Sequence, residues 1–168
     1  LARILVEYES KGSIFDIHKS LFYAPAADAP FAVQDVFGHH LATPVGPSAG
    51  PHTQLSQNII SAYLCGGRFM ELKTVQVQDA LTIPRPCIDM TDEGYNVEWS
   101  QELTLDQSAH EYTVAWAIVH ILPRLLGWDR QTTRPSLLPG VIFDMSVGYD
   151  LAGITSPRMT RFLDVMAD

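Results

Sequence analysis

The feature that most constrains the fold is a repeated order of strand, turn and helix along the chain. The three strands are predicted to end near residue 46 and to span residues 68–77 and 140–150. The helices are predicted over residues 52–65 and 105–126 and from residue 156 onward. Strands that alternate with helices are typical of a parallel α/β sheet with right-handed crossovers. We therefore predict an α/β fold with about three βα units, too few to close an eight-stranded barrel.

The 168-residue chain is long enough for one domain with a hydrophobic core. Its first ten residues have the pattern of the end of a helix, with Gly12 as the stop. A proline-containing linker and a hairpin around Gly38 follow. We predict an N-terminal helix and linker over residues 1–30, and the α/β portion over residues 31–168.

The ends of the sequence indicate a piece of a longer protein. The chain opens with Leu1 rather than methionine, and it ends within a helical segment. Three strands leave two sheet edges unpaired. We therefore expect self-association, or pairing with the remainder of a parent chain or with partner subunits.

Composition excludes several classes of protein. A net charge of −8, with 11 basic residues, argues against binding nucleic acid or an anionic membrane. No signal peptide or membrane-length apolar run is present, which predicts a cytoplasmic protein. Cys65 and Cys87 are predicted to be reduced core thiols, and His39 and His40 would point to opposite faces of a strand, so no metal site is predicted.

Three short stretches fall where the strands end, and the carboxyl ends of parallel strands carry the site in such folds. They read "GPSAGP", "LKTVQ" and "SVGYD". The first is either a tight packing turn or an open backbone that a flat ring or an anion could approach. Lys73 is either a solvated strand tip, a partner of Glu71, or a cation held near an electron-rich ring. No nucleophile motif is present, and the acidic loop before residue 105 is read as solvated.

Several separate motifs resemble the dihydroorotate dehydrogenase family, which includes the flavin domain of dihydropyrimidine dehydrogenase. They are "FGHHLATPVGPSAGP", "ELKTVQ", "PCIDMTDEGYNVEWS" and "FDMSVGYDLAGI". The resemblance is strongest to a subgroup, the large selenate-reductase-like flavoprotein subunits of the YgfK type. It implies the N-terminal part of an FMN-binding (β/α)8 TIM barrel, not closed in this chain.

The resemblance also implies roles for particular residues. Ala49 and Gly50 match the small residues whose backbone lies against the flavin. Lys73 matches the lysine at the flavin pyrimidine edge, and Thr74 is its neighbour. Asn96 matches an asparagine that holds a pyrimidine-like substrate.

Other family features lie elsewhere or differ. The family's Asn-Pro is Thr43-Pro44 here, and its catalytic base and flavin phosphate site would lie beyond residue 168. The implied FMN site is thus incomplete, no catalytic residue is assigned, and the fragment alone is expected to be inactive. FAD, NADPH and 4Fe-4S clusters are implied for other parts of the parent.

Three functions remain open from the sequence. The first is an iron–sulfur flavoprotein oxidoreductase that transfers electrons from NADPH. The second is a non-catalytic barrel scaffold that docks partner subunits. The third is a small-molecule binding module with no redox role.

Overall fold

A computed structural model of the chain describes residues 1–24, 30–78, 103–131 and 138–167, together with the backbone of two residue pairs, 88–89 and 95–96. The N-terminal helix α1 spans Ala2–Lys11. Gly12 ends it in the left-handed conformation at φ 68°, which favours glycine, and its N–H bonds the Tyr8 carbonyl. The predicted stop at Gly12 is confirmed.

Two short antiparallel hairpins follow α1. The first pairs β1 (Ser13–Ile14) with β2 (Ile17–His18), and a 3-10 turn over Lys19–Leu21 comes next. The second pairs β3 (Val33–Gln34) with β4 (His40–Leu41). Gly38 lies in the connection at φ 91°. The hairpin predicted around Gly38 is therefore confirmed.

The first of the three predicted parallel strands is not a regular strand. Its backbone nevertheless runs beside the next one, because the Val45 carbonyl accepts hydrogen bonds from the N–H groups of Arg68 and Phe69, and the Pro47 carbonyl accepts one from Glu71. A side chain at Gly46 would meet the Phe69 carbonyl oxygen at 1.5 Å, so this close approach requires glycine.

The predicted first helix is shorter than expected. A 3-10 turn at Pro51–Gln54 precedes α2, which spans Ser56–Leu64. Cys65 follows α2 and is a free, exposed thiol, so its prediction as a core residue was wrong. The reason is local: Cys65 lies in the turn where the chain leaves α2. Cys87 lies outside the described residues.

A parallel pair forms the centre of the domain. Strand β5 (Phe69–Glu71) pairs with β8 (Ile142–Asp144), with Met70 opposite Phe143. Between them in sequence lie the paired segments β6 (Ile88–Asp89) and β7 (Tyr95–Asn96) and helix α3 (Leu105–Leu125). The parallel α/β prediction is confirmed here, although the described residues form no closed barrel.

Helices cover this parallel pair. Helix α3 begins with a capping box, in which Thr104 and Gln107 bond each other's backbone, and Pro123 falls in its last turn as predicted. A 3-10 turn at Trp128–Arg130 follows it. Helices α4 (Leu151–Ile154) and α5 (Pro157–Ala167) close the chain, and the Ser156 hydroxyl accepts the Met159 N–H at the predicted start of α5.

One hydrophobic core joins α1 to the parallel pair and its helices. Its fully buried side chains come from the N-terminal hairpin, from α2, α3 and α5, and from β5 and the residue that follows it. They include Ile14, Ile59, Ile60, Tyr63, Leu64, Met70, Leu72, Tyr112, Val119, Leu122 and Met159. The N-terminal segment therefore packs into the same core as the α/β portion.

Candidate functional site

The carboxyl ends of β5 and β8 continue to pair beyond the regular strands. The Leu72 N–H bonds the Asp144 carbonyl at 2.9 Å, and the Val75 N–H bonds the Ser146 carbonyl at 3.2 Å. The Gly148 N–H returns to the Val75 carbonyl at 2.8 Å. We call this carboxyl end of the parallel pair the carboxyl edge, and it is where a site is expected in a parallel α/β fold.

Lys73 lies on this edge and is buried, with 4% of its surface exposed. Its Nζ is 3.5 Å from the Thr74 carbonyl oxygen, and its own main-chain carbonyl accepts a 2.8 Å hydrogen bond from the Tyr112 hydroxyl. The interpretation of Lys73 as a solvated strand tip was therefore wrong. Burying an ammonium group is costly, so a charged Lys73 at this strand end would be held at the expense of its hydration.

The small-residue turn is tied to β5 by a carboxylate. The Ala49 N–H donates to Glu71 Oε2 at 3.0 Å. Gly50 is buried, and its N–H donates to Thr53 Oγ1 at 3.1 Å while the Thr53 hydroxyl donates to the Gly50 carbonyl. Ala49 stays partly exposed. Glu71 thus connects the turn to the strand that carries Lys73.

A pair of hydroxyls joins the two strand ends. Thr74 Oγ1 and Ser146 Oγ are 2.7 Å apart, and either could be the donor. Thr74 is partly exposed and Ser146 is exposed. Ser146 was not predicted as a site residue. The available signal was its position in "SVGYD", at the end of the third predicted strand.

Helix α3 supports both parts of the site from behind. Tyr112 is fully buried, and burial raises the pKa of its phenol well above the usual range, so the hydroxyl stays protonated and donates. The preceding residue, Glu111, accepts the Ser56 N–H at 2.6 Å, at the start of α2. Neither residue was predicted from the sequence, because both lie on a helix far along the chain from the residues they hold.

Two other positions stand out in the sequence. The backbone of Asn96 pairs with Ile88, but the Asn96 side chain lies outside the described residues. Thr43, where the resemblance expects asparagine, is buried, and its hydroxyl donates to the Gly66 carbonyl at 2.6 Å. Gly66 precedes β5, so Thr43 acts at the opposite end of that strand.

Two kinds of site are not found in the described part of the chain. No cluster of three or more His, Cys, Asp or Glu side chains there could hold a metal ion. None of its helices is long and apolar enough to cross a lipid bilayer. An apolar groove does open between Trp116, Phe143 and Met166, but the predicted site residues do not line it.

Comparison with known proteins assigns the chain to a family. Residues 15–168 match the family described as "Oxidoreductase YgfK, N-terminal TIM-barrel domain". Two relatives, both named "Putative oxidoreductase YgfK", come from Escherichia coli strain K12 and Escherichia coli O157:H7. Each is 48% identical over 169 residues, an alignment that covers 100% of this chain but 15% of the relative. The chain therefore belongs to the YgfK family and matches its N-terminal TIM-barrel domain.

Proposed function

We propose that this chain forms one side of a flavin site in an oxidoreductase, and that FMN is the flavin. The observation that carries the proposal is the burial of the basic side chain of Lys73 at the carboxyl end of β5. Hydroxyl groups of Thr74 and Ser146 lie along the same edge, and Glu71 ties the small-residue turn to it. A cation beside hydroxyls and a partly exposed small-residue backbone suits the polar edge of a flavin ring.

Each residue has a distinct role in this proposal. Bound FMN would supply reversible two-electron transfer. The Lys73 ammonium would stabilise the negative charge that a reduced flavin carries at its pyrimidine edge. The Ala49 backbone would lie against the ring face, and the buried Gly50 would fix the direction in which the chain leaves the turn. Thr74, held by Ser146, would keep the strand end in register.

The rest of the electron path would lie outside this chain. The chain spans about 15% of the length of the curated relatives it matches. We propose that NADPH, FAD and iron–sulfur centres are carried by other parts of the full-length protein, and that Asn96 contacts the small-molecule substrate. Lys73 is then one fixed charge in a longer path for electrons.

The test is to identify the flavin in the full-length protein. We expect about one FMN per chain in addition to any FAD. Lys73→Ala should weaken FMN binding at least tenfold, the effect of losing one well-placed charge interaction. Lys19→Ala, which removes an exposed lysine of the N-terminal segment, is the matched control and should leave binding unchanged. Purified protein with FAD alone, or equal FMN binding in the two variants, would show the proposal to be wrong.

A second function is favoured by one surface feature. Val36 and Phe37, in the β3–β4 connection, are 93% and 82% exposed, and Phe31, which precedes β3, is also exposed. Adjacent, highly exposed apolar residues such as Val36 and Phe37 are typical of docking surfaces. If the domain is a scaffold, the full-length protein will lack FMN, and Val36→Ser with Phe37→Ser will lower the assembly mass measured by light scattering.

A further inference from the structure

The Tyr112 hydroxyl contacts the main chain of the proposed flavin lysine. Tyr112 is fully buried within α3, and its hydroxyl donates to the Lys73 carbonyl at 2.8 Å. The contact joins residues 39 positions apart in the sequence. It links the helix behind the sheet directly to the peptide that carries the proposed cation.

The position of this contact along the strand explains how it can orient the Lys73 backbone. On either side of Lys73, the Leu72 N–H donates to the carbonyl of Asp144 in β8, and the Val75 N–H donates to the carbonyl of Ser146, just beyond β8. The regular strand has already ended at Glu71. The Tyr112 hydroxyl therefore holds the peptide between Lys73 and Thr74, which lies between these two inter-strand hydrogen bonds. The orientation of that peptide sets where the Lys73 side chain leaves the backbone.

The same helix also holds the other side of the site. Glu111 accepts the Ser56 N–H at 2.6 Å, where α2 begins after the small-residue turn. Glu111 and Tyr112 are neighbours on one rigid helix. The separation between the turn and the lysine is thus set by α3, in addition to the direct contact through Glu71.

We propose that Tyr112 is a positioning residue, which holds Lys73 where a bound flavin can meet its charge. The inference rests on the proposed function, since it concerns the same site. Tyr112 has no contact with the flavin in this proposal. Its effect passes through the Lys73 backbone alone.

The experiment compares Tyr112→Phe with Tyr63→Phe in the full-length protein. Tyr63 is a matched control, since it is also fully buried and its hydroxyl also donates to a backbone carbonyl, that of Pro139, at 3.3 Å. We expect Tyr112→Phe to weaken FMN binding about tenfold and to make the flavin midpoint potential more negative. Tyr63→Phe should change neither, although both variants lose a buried hydroxyl.

A second measurement needs no flavin. Amide hydrogen exchange of residues 73–75 in flavin-free protein should become faster with Tyr112→Phe and stay unchanged with Tyr63→Phe. Equal exchange in the two variants would overturn the inference. So would equal FMN binding in the two variants when Lys73→Ala still weakens it. If Lys73→Ala itself binds FMN normally, the proposed function is wrong, and the role of Tyr112 fails with it.

Discussion

Two buried basic side chains lie at the two ends of the central strand, and we expect them to have different roles. Arg68 precedes β5, and its guanidinium donates to the carbonyls of Tyr63 at 2.6 Å, Gly67 at 2.8 Å and Tyr23 at 3.2 Å. It also lies 4.0 Å from the centre of the Tyr63 ring. Lys73 follows β5, and its ammonium is 3.5 Å from the Thr74 carbonyl.

The difference follows from the chemistry of the two side chains and from the two ends of the strand. A guanidinium presents five donors in a plane and stacks on aromatic rings, so neutral carbonyls can replace its water. Burial lowers the pKa of Arg68, but an arginine remains charged in proteins. In parallel α/β folds the amino ends of strands serve stability and the carboxyl ends carry chemistry. Arg68 fits the first role, and we propose the second for Lys73.

The sharpest test of this comparison is Arg68→Met beside Lys73→Met. We expect Arg68→Met to lower the free energy of unfolding by about 3 kcal/mol, because it removes the guanidinium hydrogen bonds to the carbonyls of Tyr63, Gly67 and Tyr23. Lys73→Met keeps the apolar stem and removes a buried basic group, so it should cost less than Arg68→Met. Urea denaturation measures both. Equal losses would mean that both cations serve stability and would break the comparison.

A smaller effect is expected from the carboxylate that ties the turn to β5. Glu71→Ala frees the Ala49 N–H and should lower the free energy of unfolding by about 1–2 kcal/mol, as for a charge-assisted bond that is partly buried. Flavin binding should weaken as well, because the turn is no longer held near Lys73. Glu71→Gln is the control, since its amide oxygen can still accept. If Glu71→Ala binds FMN as tightly as the wild type does, the small-residue turn is not part of the flavin site.

The hydroxyl pair between the strand ends should give a smaller effect still. Thr74→Val, Ser146→Ala and the double variant form a cycle around the 2.7 Å contact. We expect a coupling energy of about 0.5–1 kcal/mol, since one neutral hydrogen bond is lost at a partly exposed position. Chemical denaturation of the wild type, the two single variants and the double variant gives this coupling energy. A coupling of zero would show that the two strand ends are not joined by this contact.

The sequence predicted the parts of this fold that depend on local pattern. The stop of α1 at Gly12, the capped start of α5 at Ser156 and the length of α3 each depend on a few adjacent residues. The first parallel strand failed as a regular element, because Pro44 and Pro47 have no N–H to donate and Gly46 is required for close packing on Phe69. The hydrophobic pattern shows only that this segment is apolar. It does not show that the missing N–H groups prevent regular strand pairing.

The site was predicted in part for a similar reason. Lys73 and the turn stand out because they interrupt or precede regular segments. The residues that hold them do not stand out in the sequence. Tyr112 has the pattern of one more apolar position of an amphipathic helix, and Glu111 has the pattern of a solvated charge. What gives each a role is a contact across 39 and 55 positions. Contacts of that range depend on how α3 packs on the sheet, and a helical pattern does not contain that information.

The smallest expected effect is that of Glu7→Gln. It tests whether the N-terminal segment serves stability, as we expect for the amino end of β5 at Arg68. The Glu7 carboxylate accepts hydrogen bonds from the Asp16 N–H, the Ser13 hydroxyl and the Phe15 N–H. The bond from the Asp16 N–H is the main cause that lowers the pKa of Glu7 below its ordinary value of 4.5. The same segment leads to Tyr23, whose carbonyl contacts Arg68.

A carboxyl group whose pKa is lowered by folding stabilises the folded protein when the pH is above the pKa of that group in the unfolded state. This contribution is lost as the pH falls through the lowered pKa of the folded state. Wild type should therefore exceed Glu7→Gln in melting temperature near neutral pH, with a difference that shrinks as the pH falls from 4.5 through the lowered pKa of Glu7. Thermal melts across that range measure it, and FMN binding at neutral pH should be equal in the two proteins. If Glu7→Gln weakened FMN binding instead, the N-terminal segment would belong to the site as well as to the stabilising end. The division between the two ends of β5 would then no longer hold.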